Sequence, residues 1–224
     1  DVQRTMVDES LNYLLGKRAA RVIHIVNTDE PESRLEVSAR CFVDSEHKGV
    51  CFEEIIISNG HDGSGGAPGS WIPLLVRDIP TYVLWLDTVT DKLSLFSHAQ
   101  TQSDKIIVDA DHCVELGDDP DTLLPTLSRV AVDEGVPVAD FSWKRLRAHR
   151  RLTAAAFDAD RLELLDEIRT IHITGMRPVA GRLYGLWLAE RLGWSVSGPS
   201  GRGGAARNEG GVAYTRETAT APAD

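Results

Sequence analysis

The chain has 224 residues, with 34 Asp and Glu against 24 Lys and Arg and a formal net charge of −10. Its longest apolar runs, Ile55 to Ile57 and Tyr82 to Leu86, fall far short of the roughly 20 residues a membrane helix needs, and its field repels phosphate backbones, which argues against nucleic-acid and membrane partners. The polar stretch Asp1 to Asn12 lacks the apolar centre of a secretory signal, and Cys41, Cys51 and Cys113 are odd in number without framework spacing, so a cytoplasmic chain with reduced thiols is expected.

Met6, Leu11, Leu14 and Leu15 at near-helical spacing predict a short amphipathic helix over Thr5 to Gly16, closed by the glycine. Arg21 to Asn27 (RVIHIVN) is apolar on both faces apart from His24, the pattern of a central strand covered on both sides. Leu35, Val37, Ala39, Cys41 and Val43 alternate with Glu36, Ser38 and Arg40, which gives a strand with one wet face. The turn SEHKG leads from it into Val50 to Ser58, and the two runs make a hairpin. The following segment, Asn59 to Gly69 (NGHDGSGGAPG), offers few side chains for packing and is expected to be a mobile loop. Ser70 suits the N-cap of a helix carrying Trp71, Ile72, Leu74 and Leu75 that ends before Pro80, and Thr81 to Asp87 then reads as a buried strand.

Beyond this point strands and helices alternate. Val89, Leu93 and Phe96 form a helical stripe, Lys105 to Asp109 a strand, and Leu123, Leu124, Leu127, Val130 and Ala131 another helix. Ser142 to Phe157 predicts a helix, Arg169 to Thr174 a strand, and Val179 to Leu192 a helix bearing Leu183, Leu186 and Trp187. Such alternation implies an α/β fold: a mostly parallel, Rossmann-like sheet with helices on both faces, and an antiparallel hairpin near the N-terminus. Residues 1–160 are read as an N-terminal α/β domain, 161–198 as the start of a C-terminal segment, and the glycine-rich 199–224 as a disordered tail. No internal repeat is visible.

Few residues carry a chemical pattern. The glycine-rich loop lacks the Lys-Ser/Thr ending of a P-loop and a true GxGxxG, which leaves a linker or a simple anion cradle. Histidines 24, 47, 61, 98, 112, 149 and 172 are scattered without zinc-ligand spacing, and no GxSxG elbow is present, so no metal and no cofactor is expected and no catalytic residue is assigned. Asp109 ends a short strand, where open α/β sheets place ligand-binding residues; a carboxylate capping the next turn is the plainer reading.

The densest signal is DFSWKRLRAHRR, Asp140 to Arg151. On a helix, Trp143, Leu146, Arg150, Ala154 and Phe157 share a stripe. A guanidinium there needs a partner, and Asp109 and Asp158 are the candidates for Arg150. Trp143, Lys144, Arg145, Arg147 and Arg151 are candidates for contact with a partner protein, with a solvated helix face as the plain reading.

This segment, continued to LTAAAFD, resembles the stretch of the OpcA family in which an Asp-Leu-x-Trp-x-Arg motif precedes an arginine and a Phe-Asp pair, here Asp140, Trp143, Arg145, Arg150, Phe157 and Asp158. VCFEEIIIS is similar to the family's Cys-x-Glu-x-Ile strand, with Glu53 or Glu54 as its acidic landmark. WIPLLVRDIPTYVLWLD is similar to the Pro-Leu-Leu-x-x-Asp-x-Pro-x-x-x-x-Trp block through Pro73, Leu74, Leu75, Asp78, Pro80 and Trp85. DKIIVDAD matches a strand ending in Ile-Val-Asp-Ser, with Ala110 in place of the serine. The resemblance runs over about residues 9 to 197 and implies a non-catalytic protein that binds glucose-6-phosphate dehydrogenase, promotes its active oligomer and activates it allosterically in the oxidative pentose phosphate pathway. Family members carry a longer C-terminal domain, so the segment from residue 161 is expected to be truncated. The alternative is a Rossmann-like enzyme or binding protein for a sugar phosphate or nucleotide at the strand ends near Asp87 and Asp109. An open pocket joining Asp109 and Arg150 would favour the alternative, and a closed ion pair the binding module.

Overall fold

In the computed structural model residues 19–43, 49–157, 159–194 and 211–215 are described. The expected helix over Thr5 to Gly16, most of the SEHKG turn and Asp158 lie outside these residues. The chain divides into two compact units, Asp1–Ile79 and Pro80–Asp224.

In the first unit β1 (Arg21–Asn27), β2 (Arg34–Val43) and β3 (Gly49–Asn59) form one sheet in the order β1-β3-β2. β2 and β3 pair antiparallel, as the period-two pattern requires, and β1 runs parallel to β3. β1 is therefore an edge strand, with Val22 to Ile25 half-buried and Arg21, Val26 and Asn27 exposed, whereas β3 is central and buries Phe52, Glu54, Ile55 and Ile57. An apolar run allows double coverage without imposing it; the longer partner, β3, takes the middle place.

Cys41 and Cys51 are directly opposed across β2 and β3 and form a disulfide, with Cα atoms 4.0 Å apart. This corrects the expectation of three reduced thiols. Paired positions in an antiparallel ladder bring two Cβ atoms within bonding range, a nearness that spacing along the chain does not reveal.

The glycine-rich loop is held by hydrogen bonds, in contrast to the mobile loop expected. Ser33 Oγ accepts from the N–H groups of Gly60 and Gly65, each at 3.0 Å, and donates to Asp62, while Asn59 Oδ1 accepts from Gly66 N at 2.8 Å. Gly60 lies so close to the backbone of Glu32 that a Cβ there would sit 2.7 Å from the carbonyl carbon. These N–H groups are taken, so they do not form an anion cradle. The loop leads into the short helix α1 (Pro68–Trp71) and a 3-10 turn, Ile72–Leu74. Pro68 opens this helix after Ala67, and Ser70 lies inside it with its hydroxyl on the carbonyls of Gly65 and Ala67, which corrects its expected role as N-cap.

In the second unit β4 (Tyr82–Trp85), β5 (Lys105–Val108) and β6 (Val138–Asp140) form a parallel sheet in chain order. Helices α2 (Leu93–Thr101), α3 (Ala110–Leu116) and α4 (Pro120–Val132) fall between these strands. Ile106 and Val108 of β5 and Leu123 and Val130 of α4 are fully buried, and Trp85 meets Phe96 of α2 edge-on at 5.0 Å. Val89 is buried ahead of α2 and not part of it. α5 (Phe141–Arg145) and α6 (Arg147–Ala156) occupy the span expected to be one helix, interrupted at the buried Leu146. A 3-10 segment, Ala159–Glu167, precedes β7 (Thr170–Thr174), and α7 (Pro178–Arg191) follows it.

β7 pairs antiparallel with β8 (Gly211–Thr215), so part of the tail read as disordered is a strand. Ile173, Ala189 and Trp194 form a small core with Ile168, Ile171, Met176, Tyr184 and Leu192 around it. Instead of one Rossmann-like sheet, the described residues hold a mixed three-stranded sheet, a parallel three-stranded sheet and a two-stranded ribbon.

Candidate functional site

The strand ends of the parallel sheet in the second unit hold a cluster of carboxylates. Asp109, directly after β5, caps α3 by accepting from His112 N at 3.3 Å. Asp140, the last residue of β6, caps α5 through Ser142 N at 2.8 Å and also accepts from Ala110 N at 3.1 Å. Ser142 is fully buried between them; its hydroxyl accepts from Asp111 N at 2.9 Å and donates to Asp109 at 3.2 Å.

Arg145 closes this junction. Its guanidinium grips both oxygens of Asp109 at 2.7 and 2.8 Å, a bidentate pair, and lies 3.7 Å from Asp111 Oδ2. Arg145 is one turn past the cap, so the short helix α5 aims it back at the strand end. The expected partner of Asp109 was Arg150; the break at Leu146 takes Arg150 off that line. Arg150 instead lies over the Trp143 ring, 3.5 Å from its centroid, and donates to the Trp143 carbonyl at 2.8 Å.

Burial pushes the Asp109 carboxyl up, but the Arg145 hydrogen bonds and charge outweigh it and leave the group below the ordinary carboxylate range. Asp140 goes the other way, raised by burial against the hydrogen bonds from Ala110 and Ser142. Asp109 holds the Arg145 guanidinium above its ordinary value. Asp111 is fully buried, and its Oδ1 accepts from Val179 N at 2.9 Å and Ala180 N at 3.3 Å, which anchors the N-terminus of α7. Burial, with Asp118, Asp109 and Asp140 nearby, pushes the Cys113 thiol up to about 12, so it is no nucleophile at neutral pH. The three carboxylates thus accept from backbone N–H groups of α3, α5 and α7, and the Cys113 thiol donates to the Asp87 carbonyl at 3.4 Å.

The other residues singled out in the sequence are dispersed. Glu53 is exposed and pairs with Arg21 at 2.6 Å; Glu54 is buried against His24 at 3.3 Å and Arg40 at 2.8 Å. Pro73 lies in the 3-10 turn after α1, while Asp78 and Pro80 are exposed in the segment where the two units meet along the chain. Trp85 is buried and donates its indole N–H to the Thr88 carbonyl at 3.2 Å. Phe157 is half-buried at the C-cap of α6. Asp118 carries no sequence signal, yet it is buried and ties the loop after β4 by accepting from Val89 N at 2.7 Å and Thr90 N at 3.0 Å.

Trp143, Lys144, Arg147 and Arg151 are exposed on α5 and α6. Trp143 lines an open, mainly apolar groove of about 420 Å³ with Leu183, Leu186, Trp187 and Glu190 of α7. Tyr184 stacks on Trp187 at 5.7 Å between centroids, meets His149 edge-on at 6.2 Å and hydrogen-bonds Thr153. These contacts fix α6 and α7 around the groove.

At the strand ends of this α/β chain the carboxylates serve as helix caps and ion-pair partners. Residues 12–127 match the family described as the glucose-6-phosphate dehydrogenase subunit N-terminal domain (OpcA assembly), and residues 136–221 match the corresponding C-terminal domain. The chain belongs to the OpcA family. It is 31% identical over 175 residues to the OxPP cycle protein OpcA of Nostoc punctiforme, covering 75% of this chain and 36% of that protein. It is 29% identical over 193 residues to the protein of the same name from Synechococcus elongatus, covering 82% and 42%, and 28% identical over 189 residues to that of Synechocystis, covering 81% and 39%. The chain thus spans well under half the length of these curated relatives. Among the described residues no helix is long and apolar enough to cross a membrane.

Proposed function

We propose that this chain is a non-catalytic cytoplasmic assembly factor that binds glucose-6-phosphate dehydrogenase and activates it allosterically in the oxidative pentose phosphate pathway. The observation that carries this reading is the match, in order, to two domains described as parts of a glucose-6-phosphate dehydrogenase subunit. It is supported by the junction at the strand ends, where Asp109, Asp111 and Asp140 are committed to Arg145 and to the backbone of three helices. A Rossmann-like enzyme for a sugar phosphate would need those groups to face a ligand.

The test is to titrate the chain into the dehydrogenase of the same organism, following NADPH formation at low glucose 6-phosphate and the mass of the mixture by light scattering. A saturable rise in rate with a co-migrating complex is expected. A folded chain that neither binds nor alters the rate overturns the reading.

A further inference from the structure

Arg150 is a half-buried guanidinium whose contacts, among the described residues, are the Trp143 ring and the Trp143 carbonyl. Neither is an anion. Burial lowers its pKa, since the group has lost water without gaining a carboxylate. Arg145, Arg177 and Arg182, by contrast, are each matched to Asp109, Glu115 and Asp121.

The surroundings share this excess of positive charge. Residues 144 to 151 hold five of the chain's 24 Lys and Arg and no acid, in a chain whose net charge is −10. Beside them lies the groove of Trp143, Leu183, Leu186 and Trp187, with Trp143 and Leu186 each 37% exposed. Its walls are set in advance by the Tyr184–Trp187 stack and by Arg150 on Trp143, so little side-chain freedom remains to be lost on docking. Tryptophan and arginine at the centre of an apolar patch are the residue types on which protein contacts depend most.

We propose that the groove of Trp143, Leu183, Leu186 and Trp187 is the docking site for a segment of the dehydrogenase that presents an apolar side chain to the groove and a carboxylate to Arg150. The choice of occupant rests on the assembly reading above; the chemistry of the segment rests on the groove. The apolar anchor fills the space between α5 and α7. The carboxylate completes an ion pair on a guanidinium already held over an indole, with Lys144, Arg147 and Arg151 steering its approach. Glu190 is the acid among the residues lining the groove, and its charge disfavours a partner carboxylate beside it.

The experiment titrates the dehydrogenase with the full chain and with Leu186→Asp, Arg150→Glu and Glu190→Lys, each shown to be folded by circular dichroism and thermal melting. Binding is read by sedimentation at two salt concentrations. Leu186→Asp and Arg150→Glu are expected to weaken binding by roughly ten-fold or more, Glu190→Lys to tighten it, and salt to weaken the unsubstituted pair. Undiminished binding by folded Leu186→Asp and Arg150→Glu overturns the docking site and leaves the assembly reading standing. An unsubstituted chain that does not bind overturns both. Self-association of the unsubstituted chain that Leu186→Asp abolishes, with dehydrogenase binding intact, assigns the groove to a second copy and also overturns the proposal.

Discussion

At the residue scale, the two strand-end aspartates respond to pH in opposite directions. Asp109, held below its ordinary range, contributes stability that is present above its unfolded value and is lost as pH falls through its folded value. Asp140, raised by burial, opposes folding when ionised, and protonation relieves it. Arg145→Gln removes what lowers Asp109 while the burial remains. Its melting temperature is therefore expected to lie furthest below that of the unsubstituted chain near neutrality, with the gap closing as pH falls through the carboxylate range; a gap independent of pH would contradict the pairing. The thiols give a second check. With Cys113 buried and pushed up to about 12, a thiol reagent at pH 8 should find nothing in the native protein, one thiol after denaturation and three after reduction.

At the element scale, short caps decide how the helices of the second unit sit. Asp111 holds the first turn of the 14-residue α7 although 68 residues separate it from Val179. Asp111→Ala leaves two buried N–H groups of that turn without their acceptor and is expected to cost about 2 kcal/mol in urea unfolding. A loss below a few tenths would deny Asp111 this role. The elements with a strong period were legible in the sequence: the β2–β3 hairpin through its alternation, α4 and α7 through their apolar stripes. β6 is three residues long, below the length at which alternation can be seen, and α3 carries no stripe over its seven residues. The α5–α6 stripe was read as continuous because Trp143, Leu146, Arg150, Ala154 and Phe157 do keep helical spacing. The grip of Arg145 on Asp109 holds the end of the first helix at the strand end, and that interaction is not local in sequence. Asp140-x-Ser142 does carry a local cap signature; Asp111 and Asp118 do not, because their partners are distant along the chain.

At the scale of the whole molecule, the chain is two units in series, joined where Arg77 and Asp78 are exposed ahead of Pro80. Trypsin at low dose is expected to leave two resistant fragments that meet after Arg77, identified by mass spectrometry; uniform digestion without such fragments would deny the division. Family membership was legible because several separated blocks kept their order, whereas the arrangement of the sheets was not, since pairing of β7 with β8 reaches across 37 residues from Thr174 to Gly211. The Cys41–Cys51 bond has a mechanical consequence. A chain stretched from its two ends would unravel β2 and β3 only as far as the bond, and the ten-residue span inside it would bear no load. Full extension under oxidising conditions should therefore fall short of that under reducing conditions by on the order of 30 Å, the length of the hidden span.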